Sequence, residues 1–309
     1  MRKRVLTGIV LVAVLGLFFG LRQINTYLFD ILLGIILICA SGEVSRVFIR
    51  SNHYNNMTLV TLFPVFYYLG FLFTMQKELN FGYFLLIELG ILAVFTLICV
   101  IWTLLDKKSR SNEQGENSFK KYFWSKVFLT LFIMVYPTFL LGNMFILNHS
   151  ADIGWFSEGI SSILGLFLLI LTFASTMLTD TFAYFVGSAV RGPKLCPFIS
   201  PNKTISGAFG GLAGGIIAGL VAFAVANGIS EFSLFFSNNN ITIWIFLLYG
   251  VISSIVTQVG DIFASWLKRK ARTKDFSSIF PGHGGFMDRC DGLSFNALIT
   301  LLFALIAFV

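Results

Sequence analysis

Nine apolar runs, each close to twenty residues long and set apart by polar breaks, dominate this 309-residue chain. A bilayer core about 30 Å thick is crossed by about 20 residues of helix at a rise of about 1.5 Å per residue, so runs of this length predict transmembrane helices. They cover approximately residues 5–21, 26–46, 57–75, 82–105, 126–147, 160–187, 206–229, 241–264 and 292–309. The expected fold class is therefore all-α: a polytopic integral membrane protein with about nine transmembrane helices. Composition agrees, since 56% of residues are hydrophobic and only 12% charged, which excludes a soluble enzyme and a disordered chain. The first run follows Arg2, Lys3 and Arg4, but it lacks a small-residue cleavage site and a second span follows at once, so it reads as an uncleaved helix.

The few charges report orientation. With nine spans and a cytoplasmic N-terminus, all but two of the 22 Lys and Arg residues, Arg22 and Lys77, fall on the cytoplasmic side. The net charge of +7 is thus first a matter of topology, and nucleic acid is not an expected partner. Cys39, Cys99, Cys196 and Cys290 show no CxxC pairing; they read as reduced thiols, with neither a zinc site nor a disulfide framework.

Two regions follow from where the chemistry-bearing residues lie. Residues 1–159 form an N-terminal set of transmembrane helices, with a polar stretch at 106–125 expected to be a solvated linker. Asp30, Glu43 and Glu88 lie in its apolar runs, where ionisable groups are costly and so are candidates for function; Asp30 and Glu43 sit near span ends, which also suits interfacial placement or pairing with a neighbour such as Arg46. Residues 160–309 form the expected catalytic region. Asp180 lies deep in the sixth span, and the basic loop after it ends in Ser200-Pro201-Asn202-Lys203-Thr204-Ile205-Ser206-Gly207, directly before a helix. A helix start rich in hydroxyls beside a lysine suits phosphate, and a capped helix start would look the same. Gly207, Gly211, Gly215 and Gly219 form a four-residue stripe that predicts close helix packing, against either this chain or a second copy in a homodimer.

The eighth span ends in Gly260-Asp261-Ile262-Phe263-Ala264-Ser265-Trp266-Leu267-Lys268-Arg269-Lys270. If the helix continues, Asp261, Ser265, Lys268 and Arg269 share a face. Then come Lys274-Asp275, a turn-forming Phe280-Pro281-Gly282-His283-Gly284-Gly285 whose glycines permit close approach to a ligand, and Asp288-Arg289-Cys290-Asp291 opening the last span. Carboxylates at 261, 288 and 291 among cations suggest oxygen ligands for Mg²⁺ beside phosphate-binding side chains, the needs of phosphoryl or nucleotidyl transfer. His283 suits either a general acid or base or a loop-ordering hydrogen bond.

The series Ser265-x-Leu267-Lys268-Arg269-x₄-Lys274-Asp275-x-Ser277-x₂-Phe280-Pro281-x-His283-Gly284-Gly285-Phe286-x-Asp288-Arg289-x-Asp291 closely resembles the signature of the phosphatidate cytidylyltransferase (CDP-diacylglycerol synthase) family. The segments at 180–187 and 200–204 also look like their counterparts there. Cys290 departs from the family, which usually has an apolar residue or Thr, and the first half carries little specific likeness. The resemblance implies a plasma-membrane enzyme, with its active site facing the cytoplasm, that joins CTP and phosphatidic acid with Mg²⁺ to give CDP-diacylglycerol and pyrophosphate. On that basis Asp261, Asp288 and Asp291, with Asp180 as a less secure addition, would hold metal. Lys203, Lys268, Arg269 and Lys274 would hold phosphates; Ser200, Ser206 and Ser265 would donate hydroxyl hydrogen bonds; and His283 would join the substrate site. The alternatives are a related transferase for another lipid phosphate and a cation or proton transporter using Asp180 and Asp261.

Overall fold

The computed structural model of the chain describes residues 2–106, 116–156 and 161–309. Ten helices are found among these residues: α1 (Arg2–Arg22), α2 (Thr26–Arg50), α3 (Met57–Gln76), α4 (Phe81–Leu105), α5 (Glu116–Asn148), α6 (Ser161–Val190), α7 (Ile205–Asn227), the short α8 (Ser230–Asn238), α9 (Ile243–Lys270) and α10 (Met287–Ala307). Nine are long and apolar enough to cross a membrane, and each overlaps one of the expected runs. A two-stranded antiparallel hairpin, β1 (Lys194–Cys196) with β2 (Ser200–Thr204), lies between α6 and α7. It replaces the loop expected there. The expected linker also differs: residues 107–115 lie outside the described residues, whereas 116–125 belong to α5, where Lys126 closes on Asp106 at 2.7 Å.

Several boundaries follow from side chains that satisfy the orphan N–H groups of a helix start. The side chains of Asn25, Asn56 and Asn80 accept from Tyr27, Leu59 and Tyr83 N–H at the heads of α2, α3 and α4. Thr204 does the same for α7, accepting from Gly207 N–H at 3.1 Å.

The chain divides into two compact units: Met1–Phe145 with Lys270–Arg289, and Ile146–Arg269 with Cys290–Val309. The first unit is packed by aromatic side chains: Phe63 meets Phe95 edge-on and Phe139 tilted, Tyr67 meets Phe84 and Phe139 edge-on, and Phe71 meets Phe84 edge-on and stacks on Phe145. In the second unit, small residues let backbones touch. A Cβ on Gly210 or Gly214 would strike α6 at Val186 or Leu178, and one on Gly215 or Gly219 would strike α9 at Gly250 or Phe246. Lipid tails are as apolar as leucine, so contacts of this kind, with hydrogen bonds, are what associate helices there. The Gly207 to Gly219 stripe therefore finds its partners within the chain, and gives no free face to a second copy.

A buried polar network pins the same unit. Asn296 of α10, fully buried, donates to the Thr172 carbonyl (3.0 Å), Ser175 Oγ (2.8 Å) and Thr176 Oγ1 (2.9 Å) of α6, and accepts from Ser253 Oγ of α9 at 2.7 Å. Tyr249 bridges Ser175 and Thr300, at 3.0 Å from each. Three helices are thereby fixed in rotation and register just below the residues considered next.

Candidate active site

In the second unit α9 continues as helix to Lys270, so Asp261, Ser265, Lys268 and Arg269 do share one helix. At the crossing of α9 with α10, the sequences Gly260-Asp261 and Asp291-Gly292 confront each other. A Cβ on Gly292 would lie 2.8 Å from both Asp261 Oδ1 and Thr257 Cγ2, and one on Gly260 would lie 2.9 Å from the Asp291 carbonyl. Only glycine allows so close an approach, and the consequence is that the Asp261 and Asp291 carboxylates become interacting neighbours. A lysine stands on each outer side: Lys203 Nζ is 3.1 Å from Asp261 Oδ2, and Lys268 Nζ is 4.0 Å from Asp291 Oδ2. All four side chains are largely buried yet retain some exposure.

Beside this row lies a cavity of about 890 Å³, lined by Asp180, Arg191, Lys194, Lys203, Gln258 and Asp261 among others. Its size fits a small-molecule ligand, and its cations suit an anionic one. The hairpin forms one wall, supplying Lys194 and Lys203. Sequence reasoning placed Asp180 and Lys203 here but passed over Arg191, Lys194 and Gln258, whose only signal was their position around the loop and on the helix face of Asp261.

Other expected site residues have different work. Ser206 Oγ accepts from Gly192 N–H at 3.2 Å and lies 3.2 Å from Thr204 Oγ1, so it fastens the neck of the hairpin. Arg269 Nε donates to the Ile199 carbonyl at 3.3 Å, which ties α9 to the hairpin tip. The N-terminus of α7 is capped by Thr204, the alternative that the sequence left open beside phosphate binding. Ser200 lies on β2 and Ser265 on α9, and neither lines the cavity.

In the first unit, the segment after α9 folds into a loop around a hollow of about 310 Å³, lined by Lys274, Ser277, His283 and Arg289 among others. Gly282 and Gly284 carry φ of 82° and 83°, a backbone region that side-chain-bearing residues rarely enter. Asp288 Oδ2 accepts from Phe276 N–H at 2.8 Å and Gly285 N–H at 2.9 Å, closing the loop on itself. Glu43 accepts from Ser277 Oγ (2.6 Å), Phe286 N–H (3.0 Å) and Met287 N–H (2.9 Å). The glycines of His283-Gly284-Gly285 thus admit the protein's own carboxylates: a Cβ on Gly284 would lie 2.7 Å from Asp288 Oδ2, and one on Gly285 would collide with Glu43. Glu43 was expected to be interfacial or to pair with a cation such as Arg46. It is buried, at 3% exposure, and its hydrogen bonds run to a segment more than 230 residues away, which no local pattern reveals.

For a divalent cation the fit rests on the Asp261–Asp291 pair. Among the described residues no three His, Cys, Asp or Glu side chains gather into a ready-made metal site. Two adjacent carboxylates suit Mg²⁺, which is commonly held by one or two carboxylates with phosphate oxygens and water completing its shell.

The sequence model described as "Cytidylyltransferase family" matches residues 2–307. A Brucella abortus protein named phosphatidate cytidylyltransferase is 42% identical over 142 residues, covering 46% of this chain and 48% of that protein. Proteins of the same name from Staphylococcus haemolyticus (40% over 131 residues; 42% and 46% covered) and Staphylococcus aureus (38% over 139; 45% and 47%) are also similar. The matched stretch spans about half the length of these curated relatives.

Proposed function

Because the chain belongs to the Cytidylyltransferase family, we propose that it is a membrane nucleotidyltransferase that converts CTP and phosphatidic acid to CDP-diacylglycerol and pyrophosphate. The observation that carries the reading is the row Lys203, Asp261, Asp291, Lys268 beside a cation-lined cavity. In the reaction a phosphate oxygen of the lipid bonds to the α-phosphorus of CTP, and the bond from that phosphorus to the bridging oxygen of the β-phosphate breaks, releasing pyrophosphate. The lipid phosphate is already anionic near neutral pH, so no strong general base is needed; positioning and charge neutralisation are the main tasks.

Asp261 and Asp291 would hold Mg²⁺, with Asp180 contributing from the cavity wall. Bound there, the ion would supply neutralisation of the negative charge that develops on the phosphate oxygens. Lys203 and Lys268 exchange their carboxylate partners for substrate phosphates, a move that flexible lysine stems permit. Arg191 and Lys194 line the second unit's cavity and suit an anionic substrate there; in the first unit Lys274, His283 and Arg289 line a hollow that suits anionic oxygens. Asp288, with Oδ2 committed to two backbone amides, is assigned to the loop. Ser200 and Ser265 stay candidates for hydroxyl contacts to the substrates.

The distribution of basic residues along the sequence supports a cytoplasmic N-terminus and a site on the cytoplasmic side. The bacterial relatives support a plasma-membrane setting, where acyl chains remain in the bilayer while the head group enters from the side. CTP, phosphatidic acid and the bilayer are the partners proposed; neither a transporter nor a different lipid phosphate gains support from the family match. Purified protein given radiolabelled CTP, phosphatidic acid and Mg²⁺ is expected to form a CDP-lipid. Folded protein that forms none, with or without Mg²⁺, overturns the assignment.

A further inference from the structure

The start of a helix presents unsatisfied N–H groups and the positive end of its dipole, and is by default an attractive place for an anion. At the start of α10 that place is already taken. Glu43, from the last third of α2, accepts from the N–H groups of Phe286 and Met287 and from the Ser277 hydroxyl, while Asp288 accepts from Gly285 and Phe276. Between them two carboxylates satisfy four consecutive or flanking backbone donors of the loop. Gly285 has no side chain where the Glu43 carboxylate sits, so the loop sequence and the intramembrane glutamate fit one another.

We propose that Glu43 is the positioning residue of the 276–287 loop, holding Lys274, His283 and Arg289 around the 310 Å³ hollow so that they receive the phosphates of CTP. The proposal rests on the transferase reading for its ligand and on the hydrogen bonds for its geometry. Glu43 touches no substrate itself. Its carboxylate is suited to the task because it offers acceptors only, whereas an amide in the same place would turn an NH₂ toward one of three donors. Loss of the carboxylate frees the loop without opening the spans, since no other hydrogen bond of Glu43 joins it to the rest of α2's neighbours among those described.

The test compares Glu43→Gln and Glu43→Asp with wild type, each purified in lipid nanodiscs. In Glu43→Gln, amide hydrogen exchange at 285–287 is expected to quicken at least tenfold while the amides of α3 and α9 keep their rates. The KM for CTP should rise about tenfold, with the KM for phosphatidic acid within twofold of wild type. Glu43→Asp, which keeps the acceptor charge one methylene short, should recover part of both effects. A structural role alone would lower the active fraction, and hence apparent kcat, with both KM values unchanged; that result overturns the proposal, as does unchanged exchange at 285–287. Should Glu43→Gln fail to fold, exchange in Gly285→Ala, whose Cβ invades the carboxylate's place, decides instead by the same criteria. A wild-type protein that yields no CDP-lipid but whose loop amides quicken in Glu43→Gln rejects the transferase reading while leaving the positioning role of Glu43 standing.

Discussion

Gly292→Ala is the sharpest perturbation of the carboxylate pair. The new Cβ would stand 2.8 Å from Asp261 Oδ1 and Thr257 Cγ2 and 3.2 Å from the Thr257 carbonyl oxygen, whereas ordinary contact begins at 3.4 Å. The deficit is about 0.6 Å. Thr257 O is backbone and cannot turn aside, so either α9 and α10 separate or Asp261 leaves its position against Asp291. Displacement of a reacting group by about 1 Å costs on the order of 10²-fold in rate, so about 0.6 Å predicts a loss of about tenfold in kcat, or about 1.4 kcal/mol. Helix propensity acts the other way, since Ala is favoured over Gly by about 1 kcal/mol inside a helix, so the protein should stay folded. Initial rates of CDP-lipid formation, measured across a Mg²⁺ titration, are expected to show the lower kcat together with a higher half-saturating Mg²⁺ concentration. Gly90→Ala, where nothing lies within 4 Å of the added Cβ, serves as the control and should match wild type. Wild-type kcat and Mg²⁺ dependence in Gly292→Ala would refute the claim that this crossing sets the site.

Asp261→Asn and Asp291→Asn should each reduce turnover at least 10²-fold in a folded protein, checked by initial rates alongside thermal unfolding. Lys203→Met is expected to raise the KM for CTP about tenfold, read from steady-state kinetics at saturating phosphatidic acid. Asn296→Leu deletes four hydrogen bonds of the buried network and should lower stability by about 1–3 kcal/mol, measured by denaturant titration in mixed micelles. Glu88 is buried at 0% exposure with no hydrogen-bond partner on either carboxylate oxygen, so Glu88→Leu should raise stability by about 1–3 kcal/mol in the same titration and leave activity unchanged.

Hydrophobic run length was enough to locate the spans, because a bilayer imposes one length on every crossing helix and polar breaks end each run sharply. The same pattern marked Asp261, Lys268 and Asp291 through helical spacing and Lys203 through its place before α7, and the structure brings these four together. What spacing could not separate was Asp288 from Asp291. They sit three residues apart in one motif, yet one closes a loop through backbone amides and the other faces a carboxylate on α9. Nor could it assign Glu43, since its partners are set by tertiary folding alone. The hairpin at 194–204 was missed for a related reason: its strands are three and five residues long, too short to show a period of two.

The four carboxylates differ in their partners more than in their positions along the chain. Glu43 and Asp288 are satisfied by backbone N–H groups, donors fixed in direction that cannot leave without unfolding the loop. Asp261 Oδ2 pairs with Lys203 Nζ at 3.1 Å; Asp291 accepts from Gly292 N–H at 3.0 Å through Oδ1, and its Oδ2 faces Lys268 Nζ at 4.0 Å, so each carboxylate keeps an oxygen beside an ammonium group on a flexible four-carbon stem. Carboxylates with movable partners could exchange them for a cation, and the released ammonium groups could then turn to phosphate. Carboxylate oxygens held by backbone amides, as in Glu43 and at Asp288 Oδ2, keep their place in the loop. In the second unit the Asn296 network and the Gly260 and Gly292 crossing place the Asp261 and Asp291 pair; in the first, Glu43 and Asp288 shape the loop that carries Lys274, His283 and Arg289.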